Sequence, residues 1–199
     1  MKQQLKLGFL ASGNGSSARA IIAAIESGEL AAEARLLVSN NRSAPALAFA
    51  AEAGVPALCI ATQANPQAAD RRLTQALEEH GVEMVVLSGY LRQLGPETLA
   101  RYAGRVLNIH PGPLPAFGGQ GMYGRRVHET VIAAGARESG ICIHLVDEEY
   151  DRGPVIARRG VPVLPGDAAE TLQARVTALE PAFYVETLRR IAEGEIALP

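Results

Sequence analysis

The feature that most constrains the fold is a regular alternation of short apolar runs with amphipathic segments. The apolar runs are LKLGFLAS (5–12), ARLLVSN (34–40), PALCI (56–60), VEMVVLSG (82–89) and RVLNIH (105–110). Such near-continuous Val, Ile and Leu runs are typical of strands covered on both faces, as in a parallel sheet. We therefore predict an α/β fold: a doubly wound, mostly parallel, Rossmann-like sheet with helices on both faces. Functional sites are expected at the carboxyl ends of its strands.

The segments between the strands predict helices. They cover 16–27, 43–54, 70–80, 125–134 and 168–193. We expect Ser43 to be the N-cap of the second helix, with Pro45 in its first turn. We expect the last helix to be interrupted at Pro181, because proline removes a backbone donor.

The pattern changes after His110. The stretch 111–124 holds three prolines and five glycines in fourteen residues, which excludes regular secondary structure. A loop of that length in a compact domain is usually functional or mobile. Two further strands, near 139–151 and 153–163, are expected to pair as a hairpin and to add antiparallel strands to the sheet.

Composition bounds the class of protein. With 199 residues, 48% hydrophobic and 20% charged, the chain suits one globular domain, predicted to cover 1–199. The net charge of −2 lacks the clustered basic residues that nucleic acid would require. No run approaches the ~18 apolar residues of a membrane span, and the polar start does not resemble a signal peptide. Neither nucleic acid nor a membrane is expected as a partner.

The two cysteines, Cys59 and Cys142, lie in apolar stretches. Buried free thiols are typical of proteins in a reducing compartment, so we expect a cytoplasmic protein. No cluster of His, Cys or acidic residues has the spacing of metal ligands, so no metal site is predicted.

The loop after the first strand has a phosphate-binding pattern. In ASGNGSSARAI, Gly13, Gly15 and Ala18 fit the loose motif G-x-G-x-x-[G/A]. A strand, a glycine-rich turn and a helix bring free backbone N–H groups and the positive helix end to one point. Ser16 and Ser17 add hydroxyl groups. The alternative is a tight turn whose serine only caps the helix.

The end of the second strand argues against a dinucleotide. A dinucleotide site needs an Asp or Glu there to bind the ribose hydroxyls. This strand instead ends with Asn40, Asn41 and Arg42. The loop is therefore predicted to hold a single phosphate.

Asn108 and His110 form the second candidate site. They lie two residues apart on a strand, so both side chains project from one face. An amide donor beside a titratable ring suits acyl transfer, in which charge develops on a carbonyl oxygen and a proton moves. A strand-capping Asn and a hydrogen-bonded His are the alternative.

Acidic and histidine side chains further along the chain could complete this site. Among the acids of VDEEYD, Asp151 is the most constrained because a Gly-Pro turn follows it closely. His144 alternates with apolar residues in a strand and is predicted to be a core or supporting histidine. The role of His128 stays open.

Four segments carry a resemblance to a known family. SGNGSS, VVLSGYLRQL, NIHPGPLP and GICIHLVDEEYDRGPVI occur in this order. Together they resemble the folate-dependent formyltransferases, in particular those that act on 5-phosphoribosylglycinamide, and the resemblance runs from about Leu5 to Tyr184. It implies the formyltransferase fold and transfer of the formyl group of 10-formyltetrahydrofolate, as co-substrate, to the amine of 5-phosphoribosylglycinamide in purine biosynthesis. It implies small-molecule partners, no metal, and a monomer or homodimer.

The resemblance also implies roles for individual residues. The catalytic residues would be Asn108, His110 and Asp151. The phosphate and glycinamide substrate would be held by Gly15, Ser16, Ser17 and Glu180. The folate would be held by Leu91, Arg92, Gln93, Leu94, Asp147, Glu148, Glu149, Tyr150 and Asp151.

Three other functions remain open from the sequence. A sugar-nucleotide N-formyltransferase would need base-recognising contacts outside the opening loop. A formyltetrahydrofolate deformylase would give the formyl group to water, and it normally carries an additional N-terminal domain. A metabolite-binding module without activity would be expected to have lost part of the catalytic trio, which is complete here.

Overall fold

The computed structural model describes residues 4–199, and within that range seven strands form one sheet. The strands are β1 (Leu5–Leu10), β2 (Ala32–Ser39), β3 (Ala57–Cys59), β4 (Met84–Leu87), β5 (Val106–His110), β6 (Glu138–Leu145) and β7 (Val155–Pro162). Their order is β3-β2-β1-β4-β5-β6-β7. The first five strands pair in parallel, whereas β6 pairs antiparallel with both β5 and β7. The predicted doubly wound, mostly parallel sheet and its antiparallel addition are confirmed.

Helices cover both faces of the sheet. They are α1 (Ser16–Glu26), α2 (Pro45–Glu52), α3 (Pro66–Glu79), α4 (Pro96–Arg101), α5 (Arg125–Ala133) and α6 (Ala169–Ala192). Side chains of β1 alternate between two cores. Leu7 and Phe9 are buried in the core with α1 and α6, whereas Leu10 is buried in the core with α3. This period of two is what a strand covered on both faces requires.

Two helices begin at other residues than the sequence suggested. The N-cap of α2 is Ala44, and Ser43 is not the cap because Pro45, as first helical residue, starts the helix. Helix α3 begins at Pro66 rather than near Asp70, and the Asn65 side chain caps it by accepting a hydrogen bond from the Ala68 N–H at 2.9 Å. In both helices the proline determines the start.

The short helix α4 has no counterpart among the predicted elements. Its N-terminus is capped by a buried side chain from another helix: Asp70 accepts hydrogen bonds from the N–H of Glu97 at 2.9 Å and of Thr98 at 3.2 Å. A cap that is 27 residues away in sequence leaves no local pattern. Tertiary contact therefore completes this helix.

The last helix is continuous, so its predicted interruption is wrong. Pro181 lies inside the 24 residues of α6. Proline in a helix removes the hydrogen bond to the carbonyl four residues earlier, here that of Thr177. Buried side chains on both sides of Pro181, such as Val176 and Tyr184, pack into the same core and hold the two halves together.

The chain reverses the direction of its connections between β1 and β4, which lie side by side in the sheet. Three hydrogen bonds join the segments that follow these two strands, including the first turn of α1. Ser12 N–H donates to the Gly89 carbonyl at 3.1 Å, Leu91 N–H to Ser12 Oγ at 2.8 Å, and Ala18 N–H to Ser88 Oγ at 3.0 Å. Crevices at such a point of reversal are common ligand sites in open α/β sheets.

We predict that Gly153→Ala destabilises the protein by roughly 1–3 kcal/mol, the usual cost of overpacking. A Cβ at this position would overlap the carbonyl oxygen of Leu145, which is backbone and cannot rotate away. Urea unfolding measures the change. Gly13→Ala is the matched control, because nothing lies within 4 Å of a Cβ there. Equal midpoints for the two variants would contradict the prediction.

Candidate active site

A cavity of about 640 Å³ opens at the carboxyl ends of β4 and β5. Four stretches supply its wall: 89–92 after β4, 108–111 at the end of β5, 119–124 of the glycine-rich loop, and Tyr150 with Asp151. Helices α5 and α6 close another side with His128, Gln173, Thr177 and Glu180. The sequence-predicted Asn108, His110, Asp151 and Glu180 thus meet in one cavity.

Asn108 is held by the neighbouring strand. It pairs with His144 across the β5–β6 ladder, and its Nδ2 lies 3.0 Å from His144 Nε2. His144 Nδ1 lies 2.9 Å from the carbonyl oxygen of Leu145, to which it donates. In the neutral ring Nε2 then accepts a hydrogen bond from the Asn108 amide. This bond orients the amide and uses one of its two N–H groups.

His110 is buried next to Asn108 and is oriented by two groups. Its Nε2 donates to the carbonyl oxygen of Phe117 at 2.7 Å, and its Nδ1 lies 3.5 Å from Asp151 Oδ2. Burial lowers the pKa of His110, and the charge of Asp151 and the Phe117 carbonyl offset part of that effect. The imidazole is therefore neutral at pH 7, with Nδ1 available for a proton.

Asp151 occupies a strained backbone position. Its φ of 58° is the only positive value for a non-glycine residue within 4–199. Its carboxylate accepts a hydrogen bond from Gly119 N–H at 3.0 Å and lies 3.4 Å from His144 Nε2. Burial raises the pKa of Asp151, but His144, His110 and Gly119 together outweigh burial and hold it below its ordinary value. The carboxylate is ionised at neutral pH.

Glu180 is the second acid of the cavity and differs from Asp151. It lies on α6, is half-buried, and has no ion-pair partner in the described part of the chain. Burial raises its pKa to about 7. Such a carboxyl group changes its protonation state near neutral pH and binds donors of a ligand most strongly when ionised.

The predicted folate residues separate into two sets. Leu91, Arg92, Tyr150 and Asp151 line the cavity, and Leu91 and Tyr150 are 66% and 46% exposed. The other predicted residues do not line the cavity. Gln93 Nε2 donates to the Glu148 carbonyl at 3.1 Å, Leu94 is buried in the core, and Asp147, Glu148 and Glu149 are exposed.

The opening loop lies beside the cavity and does not line it. Gly15 is the N-cap of α1 with a φ of 63°, Ser16 is exposed and Ser17 is buried. The N–H of Ala18 is taken by Ser88, whereas the N–H groups of Ser16 and Ser17 have no hydrogen-bond partner within 4–199. The first turn carries no acidic side chain. These features suit an anion.

The polar residues that end β2 line an adjacent cavity of about 580 Å³. Asn40, Asn41 and Arg42 form one side of it, and Leu91 and Arg92 lie between it and the larger cavity. The cavity next to the opening loop is therefore lined by amide and guanidinium groups and, within 4–199, by no acidic side chain.

Sequence reasoning missed several residues of the cavity wall. They are Tyr90, Gln120, Met122, Tyr123, Gln173 and Thr177. A signal for two of them existed, because Gln173 and Thr177 lie seven and three residues before Glu180 and thus on one face of α6. His128, whose role stayed open, lines the cavity, and His144 supports Asn108 as predicted.

Residues 5–188 match the family model described as formyl transferase. The chain belongs to the formyl transferase family. The resemblance seen in the sequence is therefore confirmed, and it extends over nearly the whole chain.

Named proteins that are similar to this chain are also formyltransferases. It is 40% identical over 198 residues to a chloroplastic phosphoribosylglycinamide formyltransferase of Vigna unguiculata, covering 96% of this chain and 62% of that protein. The enzyme of that name from Escherichia coli is 35% identical, with 95% and 88% covered. Glycinamide ribonucleotide transformylase 1 from Symbiobacterium toebii has the same fold, with a TM-score of 0.88, 33% identity, and 98% and 91% covered. The chain spans less than two thirds of the length of the Vigna unguiculata protein and of the chloroplastic phosphoribosylglycinamide formyltransferase of Arabidopsis thaliana.

No helix within 4–199 is long and apolar enough to cross a membrane. Over the same range, no group of three or more His, Cys, Asp or Glu side chains is placed to hold a metal ion.

We predict that Glu180→Gln stabilises the protein at pH 8 by roughly 1–3 kcal/mol and has little effect at pH 4.5. The folded-state pKa of about 7 lies above the ordinary 4.5, so the folded protein binds the proton more tightly. Stability is therefore lost as pH rises between these values, and a neutral Gln removes that loss. Urea unfolding across pH measures the change.

The exposed Glu52, replaced by Gln, is the matched control and should show no such pH-dependent gain. A Glu180→Gln variant that is less stable than wild type at pH 8 would contradict the burial argument.

Proposed function

We propose that the chain transfers the formyl group of 10-formyltetrahydrofolate to the amine of 5-phosphoribosylglycinamide. The products are the N-formyl glycinamide and tetrahydrofolate, a step of purine biosynthesis. The observation that carries the proposal is the meeting of Asn108, His110 and Asp151 in one cavity, with His144 behind them. The names of the relatives support the same substrates.

The reaction needs a nucleophile, an oxyanion site and a proton carrier. The neutral amine of the glycinamide attacks the formyl carbon, and the carbonyl oxygen gains negative charge. The bond between the formyl carbon and the folate nitrogen then breaks. A proton leaves the attacking amine and a proton reaches the departing folate nitrogen, so that charge balances.

Asn108 serves the oxyanion. One N–H of its amide is held by His144, and this bond turns the remaining N–H group into a fixed donor at the cavity wall. A donor fixed before the reaction stabilises the developing charge without reorganisation. Loss of one such donor in comparable sites lowers the rate by ~10²–10³.

His110 and Asp151 carry the proton. Neutral His110 has its Nδ1 3.5 Å from the ionised Asp151 carboxylate, so a proton arriving between them is shared by both groups. The imidazolium that forms beside the oxyanion stabilises its charge. The proton then passes to the leaving nitrogen, directly or through water.

The opening loop holds the substrate phosphate. Gly15 brings the chain into α1 in a left-handed conformation, where a Cβ would lie 3.1 Å from Ala46 Cβ and 3.2 Å from Ala11 Cβ. The free N–H groups of Ser16 and Ser17 and the positive end of α1 attract the anion. Glu180 accepts hydrogen bonds from the glycinamide part of the substrate on the opposite side.

The folate lies against the segment after β4 and the loop after β6. Leu91 and Tyr150 present exposed apolar surface at the cavity, which suits a flat heterocycle. Gln93 bonds to the Glu148 carbonyl and keeps the two segments together. Both cysteines are free thiols, which supports a cytoplasmic setting for this chemistry.

We predict that purified protein forms tetrahydrofolate from 10-formyltetrahydrofolate only when 5-phosphoribosylglycinamide is present, measured by absorbance. Formyl release without any amine would indicate hydrolysis, and no reaction in either mixture would overturn the proposal.

We predict that Asn108→Ala, His110→Ala and Asp151→Asn each lower kcat by ~10² or more. Circular dichroism checks that each variant is folded, and wild-type turnover in any one removes that residue from the mechanism.

We predict that Ser16→Ala raises the KM for 5-phosphoribosylglycinamide about 10-fold or more, because a hydrogen bond to a charged group such as a phosphate contributes about 1.5–3 kcal/mol. The KM for 10-formyltetrahydrofolate should stay unchanged. Ser27→Ala, at the other end of the same helix, is the control. A change confined to the folate KM would contradict the phosphate assignment.

A further inference from the structure

His128 is a buried histidine that the proposed mechanism does not use. It is the fourth residue of α5, is 1% exposed and lines the large cavity. Its ring makes no hydrogen bond within 4–199, and its Nδ1 is a buried atom without a partner. Buried polar side chains are almost always hydrogen-bonded, so a buried histidine ring without any protein partner in a cavity wall is available to a ligand.

The two ring nitrogens of His128 are in different surroundings. Nδ1 is enclosed by protein and has no acceptor within 4–199. Nε2 also has no hydrogen-bond partner in that range, but this atom is not fully buried. A buried N–H without an acceptor costs about 1–3 kcal/mol, so the proton of the neutral ring resides on Nε2. The ring therefore offers its N–H on the side of the cavity.

The charge state of the ring is set by its neighbours. Burial lowers the pKa of His128, and the nearby His110 lowers it further. The other charged or titratable side chains of the same wall are Glu180, Asp151, Arg92, Tyr90, Tyr123 and Tyr150. An uncharged donor suits a neutral oxygen, whereas a phosphate would favour the imidazolium.

We infer that the Nε2–H of His128 donates a hydrogen bond to an uncharged oxygen of the amine substrate, a hydroxyl or amide carbonyl. This inference rests on the proposed function, since the acceptor oxygen belongs to 5-phosphoribosylglycinamide. His128 on α5 and Glu180 on α6 then bind opposite kinds of group: His128 supplies a donor and Glu180 an acceptor. A polyhydroxylated substrate offers both.

Two variants separate hydrogen bonding from packing. His128→Gln keeps an N–H donor near the position of Nε2 and loses the ring, whereas His128→Phe keeps the ring and loses the donor. We expect His128→Phe to raise the KM for 5-phosphoribosylglycinamide about 10-fold, and His128→Gln to stay within about threefold of wild type. The KM for 10-formyltetrahydrofolate should change less than twofold in both.

A purely structural His128 gives the opposite order, because Phe would then be the milder change. An unchanged KM in His128→Phe, or a KM in His128→Gln as high as in His128→Phe, overturns the inference. Val131→Ala, a buried change on the same helix outside the cavity wall, should lower stability and leave both KM values unchanged.

Nitrogen-15 NMR of the ring nitrogens decides the donor without relying on turnover. The chain has four histidines, so the signal lost in His128→Gln identifies His128. We expect the neutral Nε2–H form at pH 7, with the Nε2 signal shifting when 5-phosphoribosylglycinamide is added. An Nδ1–H form, an imidazolium, or an Nε2 signal that does not shift when the substrate is added overturns the inference. Absence of wild-type formyl transfer instead overturns the proposed function.

Discussion

The antiparallel pairing of β5 with β6 is the contact on which the site depends. It places His144 opposite Asn108 and Cys142 opposite His110, at the end of the parallel part of the sheet. The Asn108 amide is oriented by His144, which is in turn oriented by the carbonyl of Leu145. The loop after β6 then returns Asp151 to the same histidines. One ladder therefore positions the Asn108 amide and, through its loop, the Asp151 carboxylate.

Burial at this site has a different effect on each titratable group. It lowers the pKa of His110 and raises that of Glu180, while hydrogen bonds to Asp151 overcome burial and keep its carboxylate charged. Asp151 also holds a positive φ, a conformation that non-glycine residues rarely adopt. The cavity thus contains a half-buried acid without an ion-pair partner in the described part of the chain, a strained acid and a neutral histidine. Such an arrangement lowers stability locally and is typical of functional sites.

Much of this structure could be predicted from the chain. Apolar runs predicted the strands, and the spacing of Asn108 and His110 on one strand predicted their shared face. The Gly-Pro turn after Asp151 correctly marked the constrained acid. Prediction from local sequence failed where residues distant in sequence determine where a helix begins or whether it continues. Helix α4 is capped by Asp70 from another helix, and α6 passes Pro181 because both its halves pack into one core.

The sequence by itself determined the alternation of strands and helices, because that alternation depends on hydrophobic periodicity. It also determined the glycine-rich opening loop and the membership in the formyl transferase family, because both depend on short motifs. Only the tertiary structure decided which side chains meet. The approach of His144 to Asn108, the cavity wall formed by α5 and α6, and the unpartnered ring of His128 arise from strand register and helix packing. Both are set by contacts between residues distant in sequence, for which no local pattern exists.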